Sequence, residues 1–174
     1  GFSFAMPFLP FFVSELGTYT KGQQAFWSGI VIGATAVTLS IFAPIWGAFA
    51  DRYGRKSMVC RAMFGGTFIL CLMSTVKTVW QLVLCRFLQG IFTGSAGASV
   101  ALVASITPAH RSGLALGMMQ AAVFIGNCLG PLFGGIAADM FGHRIAFLIG
   151  ALIVFIGGLL VLFGAHEDFV PPDP

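Results

Sequence analysis

Apolar residues gather into six runs that short polar breaks separate. The runs cover residues 1–16, 27–50, 58–76, 79–106, 113–138 and 145–164. A helix needs roughly 20 mostly apolar residues to cross a bilayer, so the five later runs are long enough and the first resembles a truncated crossing. Backbone groups in lipid must find hydrogen-bond partners within their own segment, and runs of this length therefore predict helices.

Two of the polar breaks resemble each other. Residues 43–56 read APIWGAFADRYGRK, and residues 130–144 read GPLFGGIAADMFGHR. With one inserted residue, both carry a proline, an aromatic residue and a glycine, then Ala-Asp, a second aromatic residue, a glycine and two basic residues. The alternative is a chance likeness of two glycine-rich loops.

The positions of the two copies predict the topology. Three predicted helices separate them, an odd number, so the copies must face opposite sides of the membrane. The fold class expected is an all-α membrane protein, a six-helix transmembrane bundle made of two inverted three-helix repeats. Residues 1–165 would form this bundle, and residues 166–174 would begin a cytoplasmic linker to a C-terminal half outside this chain.

Composition supports a lipid environment. Hydrophobic residues make up 57% of the chain and charged residues 9%, against about 25% charged residues in a soluble domain. The mean hydropathy is +0.94. The net charge of +3 comes from scattered basic residues, which do not form a surface for nucleic acid.

The basic residues also predict an orientation. Five lie on the side of the 51–56 break and three on the other side. Because cytoplasmic loops carry an excess of Lys and Arg, the 51–56 loop is expected in the cytoplasm, with the chain in a bacterial inner membrane. The sequence has no enzyme motif and no metal-ligand spacing, so we expect no enzyme activity, no cofactor and no metal.

The most specific motif closes the second run, and we call it the latch motif. Its residues are Gly47, Asp51, Arg52, Gly54, Arg55 and Lys56. This pattern resembles the signature that the major facilitator superfamily carries between helices two and three. The resemblance implies a latch in which Asp51 meets the N-terminus of another helix, either helix three or one in the C-terminal half. The alternative is that the basic residues only anchor the loop to lipid head groups.

A second motif lies within the fourth run. Arg86, Gln89 and Gly90 have the spacing of a helix-four motif in the same family. An intramembrane arginine usually faces the bundle interior, and the resemblance implies that Arg86 and Gln89 take part in proton coupling. Snorkelling of Arg86 to the outer interface is the alternative. Drug exporters of this family often hold a carboxylate deep in helix one or four, which this chain lacks, so Glu15 is a further candidate and an acid outside the chain is another.

A third motif lies in the fifth run. Its residues are Gly126, Gly130, Pro131, Gly134 and Gly135, and it resembles the helix-five motif that marks exporters in this family. Glycines four residues apart predict a face for close helix packing, and Pro131 predicts a kink.

These resemblances imply a drug:proton antiporter that exports lipophilic molecules by alternating access, with the proton gradient as its energy source and no cofactor. Its partners would be membrane lipid, the C-terminal half and a small lipophilic substrate. Alternatives are a carrier for sugars or other metabolites, and a non-transporting membrane sensor or assembly protein. Candidates for the substrate cavity are Phe2, Met6, Gln89, Thr93, Gln120 and Asn127.

Overall fold

A computed structural model describes residues 2–94 and 96–165, with the side chains of residues 2, 3 and 96 left aside. These ranges form eight α-helices and one 3-10 turn. The helices are α1 (Phe2–Ala5), α2 (Leu9–Glu15), α3 (Lys21–Tyr53), α4 (Arg55–Thr75), α5 (Val79–Phe92), α6 (Ala96–Ile106), α7 (Ser112–Phe141) and α8 (His143–Gly164). The linker expected over residues 166–174 lies outside the described residues.

Five of the six predicted crossings are candidate membrane spans by length and composition. They are Lys21–Tyr53, Arg55–Thr75, Val79–Ile106, Ala109–Phe141 and His143–Gly164. The span Val79–Ile106, which is the fourth predicted crossing, contains both α5 and α6. The first run is divided into α1 and α2, with Met6, Pro7 and Phe8 between them, because a proline lacks the N–H that an uninterrupted helix needs. The chain is an all-α, multi-pass membrane protein.

The second run begins earlier than its apolar stretch predicts. Lys21 and Gly22, predicted to lie in a break, form the start of α3. Thr20 and Gln23 make reciprocal capping hydrogen bonds at this end, which satisfy N–H groups that the first helical turn leaves open. The helix therefore extends beyond the apolar residues.

The two repeated breaks are also far shorter than predicted. Only Gly54 separates α3 from α4, and only Gly142 separates α7 from α8. Both glycines have positive φ, 93° and 83°, and no other described residue does. Side chains disfavour this backbone conformation, so glycine allows each chain reversal within a single residue. The matching sequences thus make matching turns.

The two turns lie at opposite ends of the bundle. Arg55 begins α4 directly after Gly54, while Arg144, just after Gly142, donates hydrogen bonds to the carbonyls of Ser74 and Val76 at the other end of α4. The 21 residues of α4 separate the two turns, a length of about 31 Å. This confirms the opposed orientation that the repeat predicted.

Helix packing follows the same symmetry. A contact between two crossings should be matched by a contact between the equivalent crossings of the other repeat. The contact of α3 with α5 is matched in this way by the contact of α7 with α1. Exchanging the two repeats maps the pairing of α4 with α8 onto itself, and these two helices also pack along each other.

The main core lies toward the Gly142 end. Phe8 and Phe12 of the first segment meet the ring of Phe147 edge-on at 5.1 and 5.3 Å, and Ile69 and Leu82 are buried with them. A smaller cluster toward the Gly54 end joins Ala50, Val59, Ala98 and Leu102. The two clusters fix the ends of the spans that carry the candidate site.

Candidate functional site

The latch motif forms the Gly54 end of the bundle. Asp51 lies in the last turn of α3, and its Oδ1 is 3.6 Å from Nη2 of Arg55 at the start of α4. Arg55 also donates a 3.3 Å hydrogen bond from Nη1 to the carbonyl of Ala101 in α6. This contact places Asp51 beside the first residue of α4.

The residues of the motif differ in exposure: Asp51 and Arg52 are exposed, Gly47, Arg55 and Lys56 are half-buried, and Gly54 is buried. The Asp51 side chain is 69% exposed, and Arg52 lies over the ring of Tyr53 with 5.9 Å between Cζ and the ring centroid. A Cβ placed on Gly47 would meet nothing within 4 Å. An ion pair this exposed contributes only about 0–1 kcal/mol by itself. Within this chain the motif thus presents an exposed carboxylate, while Arg55 also contacts α6.

Arg86 is buried at the centre of the bundle, with 1% of its surface exposed. Its Nη1 donates a 2.9 Å hydrogen bond to Oε1 of Gln89, one turn further along α5. Gln89 is 2% exposed. The guanidinium therefore lies inside the bundle and does not reach toward the interface.

Thr35 and Thr38 of α3 pack against α5 beside Arg86 and Gly90. The Thr35 hydroxyl donates a 3.0 Å hydrogen bond to the carbonyl of Arg86, and both threonines are 1% exposed. A Cβ on Gly90 would overlap the Thr38 hydroxyl and the Thr35 carbonyl, so glycine is what lets α5 approach α3 this closely.

Sequence reasoning missed both threonines. A signal was present, because Ser28, Thr35 and Thr38 share one face of an otherwise apolar helix and all three are buried. Polar residues on a single face of a membrane span usually face protein, not lipid. Thr93, a candidate for the substrate cavity, is half-buried, and its hydroxyl donates a hydrogen bond to the carbonyl of Gln89.

The glycines of the third motif face different ways along α7. A Cβ on Gly134 would overlap the carbonyl oxygen of Phe4 in α1, whereas positions 126 and 135 would meet nothing within 4 Å. The expectation of close packing thus holds within this chain for Gly134. Pro131 lies inside α7, which continues through it to Phe141.

A broad face of α7 is open. Exposed apolar side chains along it are Leu114, Met118, Phe124, Leu129, Leu132 and Phe133. Two candidates for the substrate cavity, Gln120 and Asn127, are exposed on this helix. Gln89 is enclosed, Met6 and Thr93 are half-buried, and the Phe2 side chain is outside the described residues.

Glu15 lies at the end of the bundle opposite the latch motif, where it contacts His143. Its Oε1 lies 2.7 Å from Nδ1 of His143, the first residue of α8. The structure therefore does not bring Glu15 together with Arg86, and sequence reasoning did not anticipate His143. In the repeat His143 corresponds to Arg55, and each contacts the first crossing of the opposite repeat. Arg55 contacts α6, and His143 contacts Glu15 of α2.

These features define a polytopic membrane protein with two inverted three-helix repeats and an enclosed arginine, an arrangement found among secondary transporters. The chain belongs to the Major Facilitator Superfamily, whose family model matches residues 1–174.

Among curated proteins the chain is similar to multidrug resistance protein MdtG from several bacteria. It is 41% identical to that of Salmonella dublin and 41% identical to that of Klebsiella pneumoniae strain 342, each over 170 residues. It is 39% identical to that of Proteus mirabilis strain HI4320 over 171 residues. The matches cover 98% of this chain but only 41–42% of each relative, so the chain spans about two fifths of their length.

Proposed function

We propose that the protein containing this chain exports small lipophilic molecules by proton-coupled alternating access. The observation that carries the proposal is Arg86, a charged side chain enclosed in an apolar span and hydrogen-bonded to Gln89. Burying a charge in a membrane span is costly, and such residues mark substrate or proton pathways. The relatives are named multidrug resistance proteins, which supports export of drugs over other cargo.

The latch motif would act at the cytoplasmic face of a bacterial inner membrane. Arg52, Arg55 and Lys56 gather beside the Gly54 turn, and an excess of such residues favours the cytoplasmic side. Asp51 is exposed there, so its carboxylate is available to the N-terminus of a helix in a second half of the transporter.

The second half would cover the open face of α7. Gly126 and Gly135 leave space for a close neighbour on that helix. Gln120 and Asn127 lie on the face of α7 that carries Gly134, at seven-residue spacing, and both are exposed. They would line the space between the halves near the bilayer midplane. A lipophilic substrate would bind there, with Met6 and Thr93 at its edge.

Transport in inside-out vesicles tests the function. Vesicles that contain the full-length protein should accumulate a lipophilic cationic dye in the lumen when the lumen is made more acidic than the external buffer. An uncoupler should abolish the accumulation. Asp51→Asn and Arg86→Ala should each remove transport, with the proteins still inserted at wild-type levels. Lys77→Ala, at the opposite end from the latch motif, is the matched control and should transport normally.

The outcomes separate the alternative functions. Gradient-independent uptake of a sugar or metabolite, with no dye transport, would replace the exporter by a carrier of another class. An unchanged phenotype in Asp51→Asn and Arg86→Ala would instead favour a sensor or assembly protein.

Glu15 is our candidate for the proton-binding acid within this chain, and it has a separate test. In Glu15→Gln, downhill efflux of preloaded dye should continue while gradient-driven accumulation is lost. Gradient-driven accumulation at the wild-type rate would place the coupling acid outside this chain.

A further inference from the structure

Arg61 has a buried guanidinium group to which the proposed function gives no role. All three nitrogens of its guanidinium group are buried and lack a hydrogen-bond partner among the described residues. Arg61 lies seven residues after Gly54, roughly 10 Å along α4 at 1.5 Å per residue. A buried cation needs a compensating interaction.

The compensating partner is the indole ring of Trp46 on α3. The Arg61 Cζ atom lies 3.4 Å from the ring centroid, a stacking distance. A guanidinium stacks flat on aromatic rings, and indole is the strongest π partner for a cation. The interaction thus fixes the plane of the Trp46 ring.

The other polar contact of Trp46 leads to the fourth span. Its Nε1–H donates a 2.6 Å hydrogen bond to the carbonyl of Ile91. Because α5 ends at Phe92, the carbonyls of its last turn lack the partners that a continuing helix would give. A side chain of the second span therefore satisfies a carbonyl exposed by the interruption of the fourth.

The ring also lies directly against this interruption. Thr93 and Gly94 belong to neither α5 nor α6, and a Cβ on Gly94 would come within 3.3 Å of Cδ1 of Trp46. Interruptions of membrane helices are tolerated where neighbouring spans satisfy the freed backbone groups. Trp46 supplies that function here.

The position of this contact joins two parts of the candidate site. Trp46 directly precedes Gly47 of the latch motif, and Ile91 follows Gln89, the partner of Arg86, by two residues. We propose that Arg61 and Trp46 are positioning residues that hold α5 and α6 at a fixed angle and connect the latch motif to the Arg86–Gln89 pair. The role in transport rests on the proposed function, whereas the fixed angle does not.

Distances between spin labels across the interruption test the fixed angle. The labels go on the full-length protein at Lys77→Cys, just before α5, and Ala104→Cys, near the end of α6, two exposed positions, after all native cysteines are replaced by serine. Trp46→Phe keeps a ring but removes the N–H donor, and Arg61→Met keeps the length but removes the charge. Each should broaden or shift the distance distribution.

Three further variants make the test independent of any one substitution. Gly94→Ala should shift the distribution in the same way, because its methyl group pushes against the ring, and Arg61→Lys should give an intermediate result. The controls Trp80→Phe and Arg111→Met alter exposed residues and should match the wild type. Distributions for Trp46→Phe and Arg61→Met that superimpose on the wild type would overturn the proposal.

Transport kinetics test the connection to the latch motif. Trp46→Phe and Arg61→Met should lower the maximal transport rate about tenfold with the substrate KM nearly unchanged. Neither residue is a candidate for the substrate cavity, and both are proposed to fix the angle between α5 and α6. A rise in KM alone would refute a positioning role. If the wild type transports nothing, the proposed function fails, while the label distances still decide the fixed angle.

Discussion

Oε1 of Glu15 lies 2.7 Å from Nδ1 of His143, so the first segment of the chain is tied to the last span at the Gly142 end. The rings of Phe8 and Phe12 lie 5.7 and 6.0 Å from the imidazole. At the Gly54 end, Arg55 makes the corresponding tie to α6. Each half of the repeat therefore closes one end of the other half.

The Glu15–His143 pair should contribute a small stabilisation. We expect a double-mutant cycle with Glu15→Gln and His143→Gln to give a coupling energy of up to about 1 kcal/mol, because the Glu15 side chain is 55% exposed and screening weakens such pairs. Thermal unfolding of the detergent-solubilised protein measures the coupling, and a coupling energy indistinguishable from zero would contradict the contact.

The turn glycines should be sensitive to any side chain. Gly54→Ala and Gly142→Ala should each destabilise the protein by about 1–3 kcal/mol, since both glycines combine positive φ with an extended ψ of 136° and 156°, a region that is nearly exclusive to glycine. Gly22→Ala is the control, because position 22 is helical and a Cβ there meets nothing within 4 Å. Melting temperatures should fall for the two turn variants and stay level or rise for Gly22→Ala; equal behaviour of all three would refute the strain argument.

Much of this fold could be predicted because its rules are local or periodic. The repeat around Asp51 and Asp139 predicted two opposed turns, and the structure has them at Gly54 and Gly142. The start of α3 could also have been found, since Thr20 and Gln23 have capping-box spacing.

The parts that could not be predicted depend on which spans meet. Thr35 and Arg86 are 51 positions apart, and no local pattern shows that α3 and α5 touch there. The sequence indicated only that Arg61 is a positive charge near one membrane face. Its stacking on Trp46 depends on the packing of two neighbouring helices. The interruption of the fourth span has no proline to announce it, so it was predicted as one helix.

The approach of α5 to α3 should depend on Gly90. Gly90→Ala should lower the melting temperature and reduce transport, because its methyl group would overlap the Thr38 hydroxyl and the Thr35 carbonyl and force the helices apart. Gly97→Ala in the same span is the matched control, since a Cβ there meets nothing within 4 Å. Adding Thr38→Ala to Gly90→Ala should recover part of the loss, as it removes one of the two overlaps. A Gly90→Ala protein as stable and active as Gly97→Ala would show that the two spans do not pack as described.

The inverted topology can be tested with two residues that the repeat makes equivalent. Tyr53 and Phe141 each precede a turn glycine, and they are similarly exposed at 55% and 54%. We therefore expect Tyr53→Cys and Phe141→Cys, in the full-length protein without its native cysteines, to react with thiol reagents at similar rates in detergent. In intact cells a membrane-impermeant reagent should label only Phe141→Cys, because an excess of basic residues, as beside Gly54, favours the cytoplasmic side. Permeabilised cells should then show labelling of Tyr53→Cys as well. Labelling of both positions in intact cells, or of neither, would place the two turns on one side of the membrane, and labelling of Tyr53→Cys alone would reverse the orientation while keeping the repeat inverted.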